Sequence, residues 1–178
     1  MTALRLLASA AALTIVAGCA TTSSGPSGPP AKTPASSPAQ FRTSDFAWSA
    51  QPGRASVTGG LAYRRGAQTY SCAGAAVVLT PETGWTRQRM VTLYKSSTYA
   101  ALPVADVRAR TPSEPGEDYS AFVRRTTCDA QNRFAFTSLP DGGWFVITVA
   151  KPAVGTGENV AVMRYVTTKG GRATTLGL

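Results

Sequence analysis

From Ala55 onward the chain is cut into short runs of β-forming residues by Gly, Pro, Asp-Gly and Gly-Gly, the punctuation of strands between turns. Val57, Gly59, Leu61 and Tyr63 alternate with Thr58, Gly60, Ala62 and Arg64, which predicts a half-buried strand. Ala75 to Leu79 is a continuous apolar run stopped by Thr80-Pro81 and reads as a strand covered on both sides. Tyr119 to Thr127 carries Phe122 and Val123 and reads as a further strand. Arg133–Ser138 and Trp144–Val149 flank Leu139-Pro140-Asp141-Gly142-Gly143, where Asp141-Gly142 tolerates positive φ; the expectation is a tight hairpin. Asn159–Thr167 and Arg172–Leu176, split by Lys169-Gly170-Gly171, predict a closing hairpin. About seven strands in this length predict an all-β fold, an antiparallel β-sandwich. One stretch breaks the pattern. Met90, Leu93 and Tyr94 recur at helical spacing between Thr86 and Lys95, predicting a short helix inside a long excursion from Glu82 to Asp118.

The first residues carry an address. Arg5, an apolar stretch from Leu6 to Ala17 and small residues before Cys19 make the layout of a secretory signal, too short to span a bilayer. Val16-Ala17-Gly18-Cys19 resembles the lipobox of bacterial lipoproteins, in which the cysteine is acylated and becomes the mature N-terminus. By that resemblance, Ala20 after Cys19 implies the outer membrane, on its periplasmic side. Residues 20–38 hold five prolines and almost no apolar bulk, so they cannot offset ordering entropy and read as a tether. The expected organisation is therefore a signal peptide over residues 1–18, a lipidated cysteine and disordered tether over 19–41, and one sandwich over 42–178.

Composition limits the chemistry. Of 178 residues none is histidine, which excludes Ser-His-Asp and Cys-His catalysis, zinc sites of the HExxH kind and an imidazole pH switch. With Cys19 lipidated, Cys72 and Cys128 remain, and an even pair in an exported domain predicts a disulfide. Without histidine or a CxxC, two thiols make a poor metal site; no cofactor is expected. Glu114, Glu117 and Asp118 form the one carboxylate cluster, in a Pro- and Gly-containing loop whose spacing matches no calcium loop. They read as solvated, with an acid–base pair for glycan hydrolysis as the alternative. A solute-binding lipoprotein is a third reading and needs a concave apolar pocket.

Val57-Thr58-Gly59, Ala73 to Leu79, and Phe134-Ala135-Phe136 through Leu139-Pro140-Asp141-Gly142 to Trp144-Phe145-Val146 together resemble the carboxypeptidase regulatory-like domain, a prealbumin-like or immunoglobulin-like β-sandwich. The resemblance covers residues 55–81 and 119–176. It implies a non-catalytic accessory module, so no catalytic residue is carried over. Two enzymatic relatives of the fold, the transthyretin-type hydroxyisourate hydrolase and the intradiol dioxygenase, require histidine.

Charge gives the remaining functional hint. The chain has 18 Lys and Arg against nine Asp and Glu, a formal charge of +9. Arginines pair at Arg64–Arg65, Arg87/Arg89, Arg108/Arg110 and Arg124–Arg125, and their planar forks suit phosphate and carboxylate. No DNA- or RNA-reading motif is present, so nucleic acid is not expected. The expected partners are the membrane, through the N-terminal lipid, and an anionic envelope polymer or protein. Dispersed solubilising charge is the competing reading. Trp48, Trp85 and Trp144 read as core or edge packing rather than a sugar-stacking platform, but Trp85 lies outside the predicted sandwich. With Arg87 and Arg89 it makes the candidate partner-binding group.

Overall fold

The computed structural model describes residues 39–112 and 119–178. Cys19, the predicted leader, most of the predicted tether, and Glu114, Glu117 and Asp118 lie outside the described residues. The strands are β1 (Ala55–Gly60), β2 (Arg64–Arg65), β3 (Gln68–Ser71), β4 (Ala76–Pro81), β5 (Tyr99–Pro103), β6 (Arg124–Thr127), β7 (Arg133–Leu139), β8 (Gly142–Pro152), β9 (Val160–Thr168) and β10 (Ala173–Gly177). Helix α1 (Gly84–Tyr94) precedes β5, and α2 (Val104–Ala109) follows it. Two 3-10 helices, Thr43–Ala50 and Ser120–Phe122, lie before β1 and before β6.

The all-β sandwich is present, and its two sheets differ in what they demand. In β8, Trp144, Val146 and Ala150 enter one core while Phe145 and Ile147 enter another. In β9, Val160, Val162 and Val166 face the first core and Ala161, Met163 and Tyr165 the second. Two apolar faces need two covers. These strands run through the larger sheet, in which β6-β4-β8-β9-β5 lie side by side and β2 and β3 extend from the end of β8. The smaller sheet, β10-β1-β7, covers the first face. Helix α1 covers the second through Met90, Leu93 and Tyr94. The molecule is a sandwich with a helical third layer.

That layer is the predicted excursion. Met90, Leu93 and Tyr94 are buried, as their spacing predicts, and the excursion also supplies β5, paired with β9 from Tyr99–Arg164 to Pro103–Val160. The helix begins two residues before the predicted start, because Thr83 caps it. Thr86 N–H donates to Thr83 Oγ1 (3.1 Å) and Thr83 N–H to Thr86 Oγ1 (2.7 Å).

Three expectations are corrected. Neither predicted hairpin pairs its own strands: β7 lies in the small sheet and β8 in the large one, and β10 and β9 divide likewise. Phe134 and Phe136 alternate with exposed Ala135 and Thr137, which suits a one-sided sheet, whereas β8 requires a two-sided one. The turns are therefore corners between sheets. Asp141 ties the corners together by accepting from the amides of Gly170 (2.5 Å) and Gly171 (3.2 Å), both at left-handed φ near +65°. The sandwich is also not purely antiparallel, since β10 runs parallel to β1 with Thr58 beside Thr175. Finally, Tyr119–Thr127 is a strand only from Arg124; before it the 3-10 turn carries Phe122 onto Phe46.

The N-terminal segment seals one end. Trp48 meets Trp144 edge-on at 4.9 Å and occupies the space where a Cβ at Gly142 would lie. Arg124 lies over Trp144 and donates to the carbonyls of Ser49 (3.1 Å) and Ser138 (3.1 Å). At the other end the Cys72–Cys128 disulfide joins the chain entering β4 to the chain leaving β6.

Two stability predictions follow from these ends. Gly142→Ala would bring a methyl within 2.2 Å of the Trp48 ring. It is expected to cost about 1–3 kcal/mol, read as a lower urea midpoint. Replacing Cys72 and Cys128 by Ala opens a bridge spanning 56 residues and should cost about 4 kcal/mol by loop entropy; two free thiols in the denatured, unreduced wild-type chain would refute it.

Candidate functional site

The sequence-predicted group assembles in part. Arg89, one helical turn after Trp85, lays its guanidinium over Trp85 (5.5 Å) and Tyr119 (5.6 Å). Its buried Nε has no hydrogen-bond partner among the described residues. Trp85 meets Phe41 (5.2 Å) and Tyr119 (5.1 Å) edge-on, and Phe46 stacks on Phe122 (4.9 Å). A hollow of about 270 Å³ runs beside Trp85, Gln88, Arg89 and Thr92. Arg87 turns away from this cluster. It pairs with Glu82, whose second oxygen accepts from Tyr165 Oη, and it lies over the Tyr165 ring at 5.4 Å. The rings thus serve mainly to fasten the N-terminal segment, which also donates from Ala39 N–H to Gln88 Oε1 (2.8 Å).

Tyr94, beneath Arg89, has its phenol pushed up to about 12, chiefly by burial and further by Tyr119, with Arg89 opposing. Its native pKa exceeds the unfolded value of about 10, so this contribution is complete below pH 10 and is lost as pH rises toward 12. Chemical denaturation should show stability falling across pH 10–12 by on the order of 2 kcal/mol from this group, and Tyr94→Phe should flatten that slope.

The four arginine pairs sit on four different elements, and at least one member of each is engaged within the fold. Arg65 faces Glu158 (3.5 Å), Arg110 binds Leu93 O (3.0 Å) and Asp106 (3.7 Å), and Arg87 and Arg124 are placed as above. Much of the positive charge is structural adhesive.

A larger concavity lies where sequence reasoning placed nothing. A groove of about 630 Å³ crosses the outer side of the small sheet to the β6–β7 corner. Gly59, Gly60, Ala135 and Phe134 give it an apolar floor, and Thr58, Thr175, Thr127, Asp129 and Arg133 surround them. Thr58 Oγ1 and Thr175 Oγ1 lie 3.3 Å apart. Gly59 also keeps the middle strand close to its neighbours, since a Cβ there would fall 2.6 Å from the Phe134 ring and from Leu176 O. The corner is rigidly held. Asp129 Oδ1 accepts from the amides of Gln131 (2.9 Å) and Arg133 (2.7 Å). Asn132 Oδ1 accepts from Ser71 Oγ (2.7 Å) and Cys72 N–H (3.0 Å), while Asn132 O accepts from Leu61 N–H (2.9 Å). The disulfide fixes the same corner. Strand β7, from Arg133 to Leu139, spans roughly 20 Å at ~3.3 Å per residue, and the N-terminal segment packs at its far end.

Among the described residues no group of three His, Cys, Asp or Glu could hold a metal, and no helix is long and apolar enough to cross a membrane.

No family model and no curated protein matches the chain. A solved structure it resembles is that of a Pseudomonas aeruginosa protein provisionally described as a carbohydrate binding protein. The two share 20% identity with a TM-score of 0.57, over 79% of this chain and 97% of that one. The likeness establishes a shared fold.

Proposed function

We propose that the chain is a membrane-anchored envelope lipoprotein whose sandwich is a non-catalytic recognition module for an envelope glycan. The groove on the small sheet carries this reading. Its apolar floor suits the C–H face of a sugar ring, and its hydroxyls and charged pair suit the ring's polar edge. It opens at the end of β7 opposite the Thr43–Ala50 segment. Two acyl chains or more at Cys19 would hold the membrane anchor firmly. The carbohydrate binding provisionally ascribed to the similarly folded Pseudomonas aeruginosa protein supports the choice of ligand. The resemblance to carboxypeptidase regulatory-like modules supports a role without turnover.

The test is co-sedimentation of the full chain with purified envelope polysaccharide and peptidoglycan. Ala135 is exposed on the groove floor, and Ala135→Trp should abolish retention while leaving the melting temperature within a few degrees. Retention equal to wild type would refute the groove as the site. Cys19→Ser should separately release the protein from the membrane fraction; continued membrane association would refute the lipid anchor.

A further inference from the structure

Resting on the glycan reading above, we infer that the groove selects sugars bearing a carboxylate, a uronate-containing glycan, and that Arg133 is the residue that reads the acid. Asp129 and Arg133 are the two charged residues lining the groove, and they are not equivalent. The Asp129 carboxylate is occupied by its own turn: Oδ1 takes two backbone amides and Oδ2 faces Arg133 Nε at 3.6 Å. Its negative charge is thereby shared between two backbone amides and Arg133, while the side chain stays 46% exposed. Among the described residues Arg133 is approached through Nε alone, and its side chain is 69% exposed. The two terminal nitrogens form the planar fork that accepts a carboxylate through two parallel hydrogen bonds.

Asp129 therefore acts as a positioning residue. An exposed ion pair at this distance contributes little stability, but it orients a guanidinium on a turn that Asn132 and the disulfide already hold still. A ligand then loses less freedom on the protein side when it binds. The single fork also sets the charge of the ligand. One guanidinium, with Asp129 as its partner in the lining, offers one two-pronged fork that matches one carboxylate per sugar, whereas a phosphomonoester, with up to two charges, would leave charge unanswered. The chain's formal charge of +9 would speed the encounter with such a polymer without providing the selectivity.

The experiment is calorimetric titration of the full chain, purified in detergent, with hexagalacturonate and with chitohexaose, repeated for Arg133→Gln, Arg133→Lys and Ala135→Trp. The expected result is tighter binding of the uronate. Arg133→Gln should weaken it roughly tenfold or more and leave chitohexaose within about twofold, with Arg133→Lys between because it keeps charge but loses the fork. Equal binding of both sugars, insensitive to Arg133→Gln yet lost in Ala135→Trp, would overturn the acid selectivity and preserve the glycan reading. No binding of either sugar would overturn both. Uronate binding that survives Arg133→Gln and Ala135→Trp alike is attraction to the whole cationic chain and overturns the inference.

Discussion

The architecture depends on the two-sided burial of β8 and β9. A strand with Trp144 and Val146 on one face and Phe145 and Ile147 on the other cannot leave either face to water. Each large side chain returned to solvent would forfeit about 1.5–3 kcal/mol. The small sheet answers one face and α1 the other, which explains why the segment between β4 and β6 is so long. It must supply a capped helix and a fifth strand for the large sheet. The small sheet, by contrast, is wanted for one face alone. Its outer side is free to carry threonine, alanine and glycine, and there the groove lies.

The two ends of the sandwich are finished in different chemistry. One is closed by rings, with Phe41, Phe46, Trp48, Trp85, Tyr119 and Phe122 packed around the N-terminal segment and Arg89 and Arg124 laid over them. The other is closed by a covalent bridge and a dense set of short hydrogen bonds about Asn132 and Asp129. Hydrophobic closure is non-directional and adapts to what arrives. Bridged, hydrogen-bonded closure fixes positions, as a recognition site requires.

What the sequence made legible followed from periodicity. Alternation located β1, the Asp141-Gly142 turn located β7 and β8 on either side of it, the apolar run located β4, and Met90, Leu93 and Tyr94 located α1 and its buried face. The evenness of Cys72 and Cys128 located the bridge. Pairing was not legible, because Asp141-Gly142 permits a tight turn whether the chain folds back on its own sheet or crosses to the other. The deciding information was the difference in facing between β7 and β8, a property of neighbours rather than of the turn. The capping box at Thr83 escaped because its third position holds threonine in place of the usual glutamate or glutamine. The groove escaped for a related reason: Thr58, Gly60, Ala135 and Thr175 are ordinary solvent-face residues in their own strands, and only the β10-β1-β7 register makes them one surface.

The aromatic closure also stands in series between the chain ahead of Ala39 and the first strand of the small sheet. Tension arriving from the N-terminus would reach Phe41, Phe46 and Trp48 before it reached β1 at Ala55. Peeling that segment frees at most about 50 Å of chain at ~3.3 Å per residue, less the span it already covers, a short early lengthening in a single-molecule extension trace. The seal would then lengthen first under load, while the Cys72–Cys128 bridge holds the corner that bears Arg133.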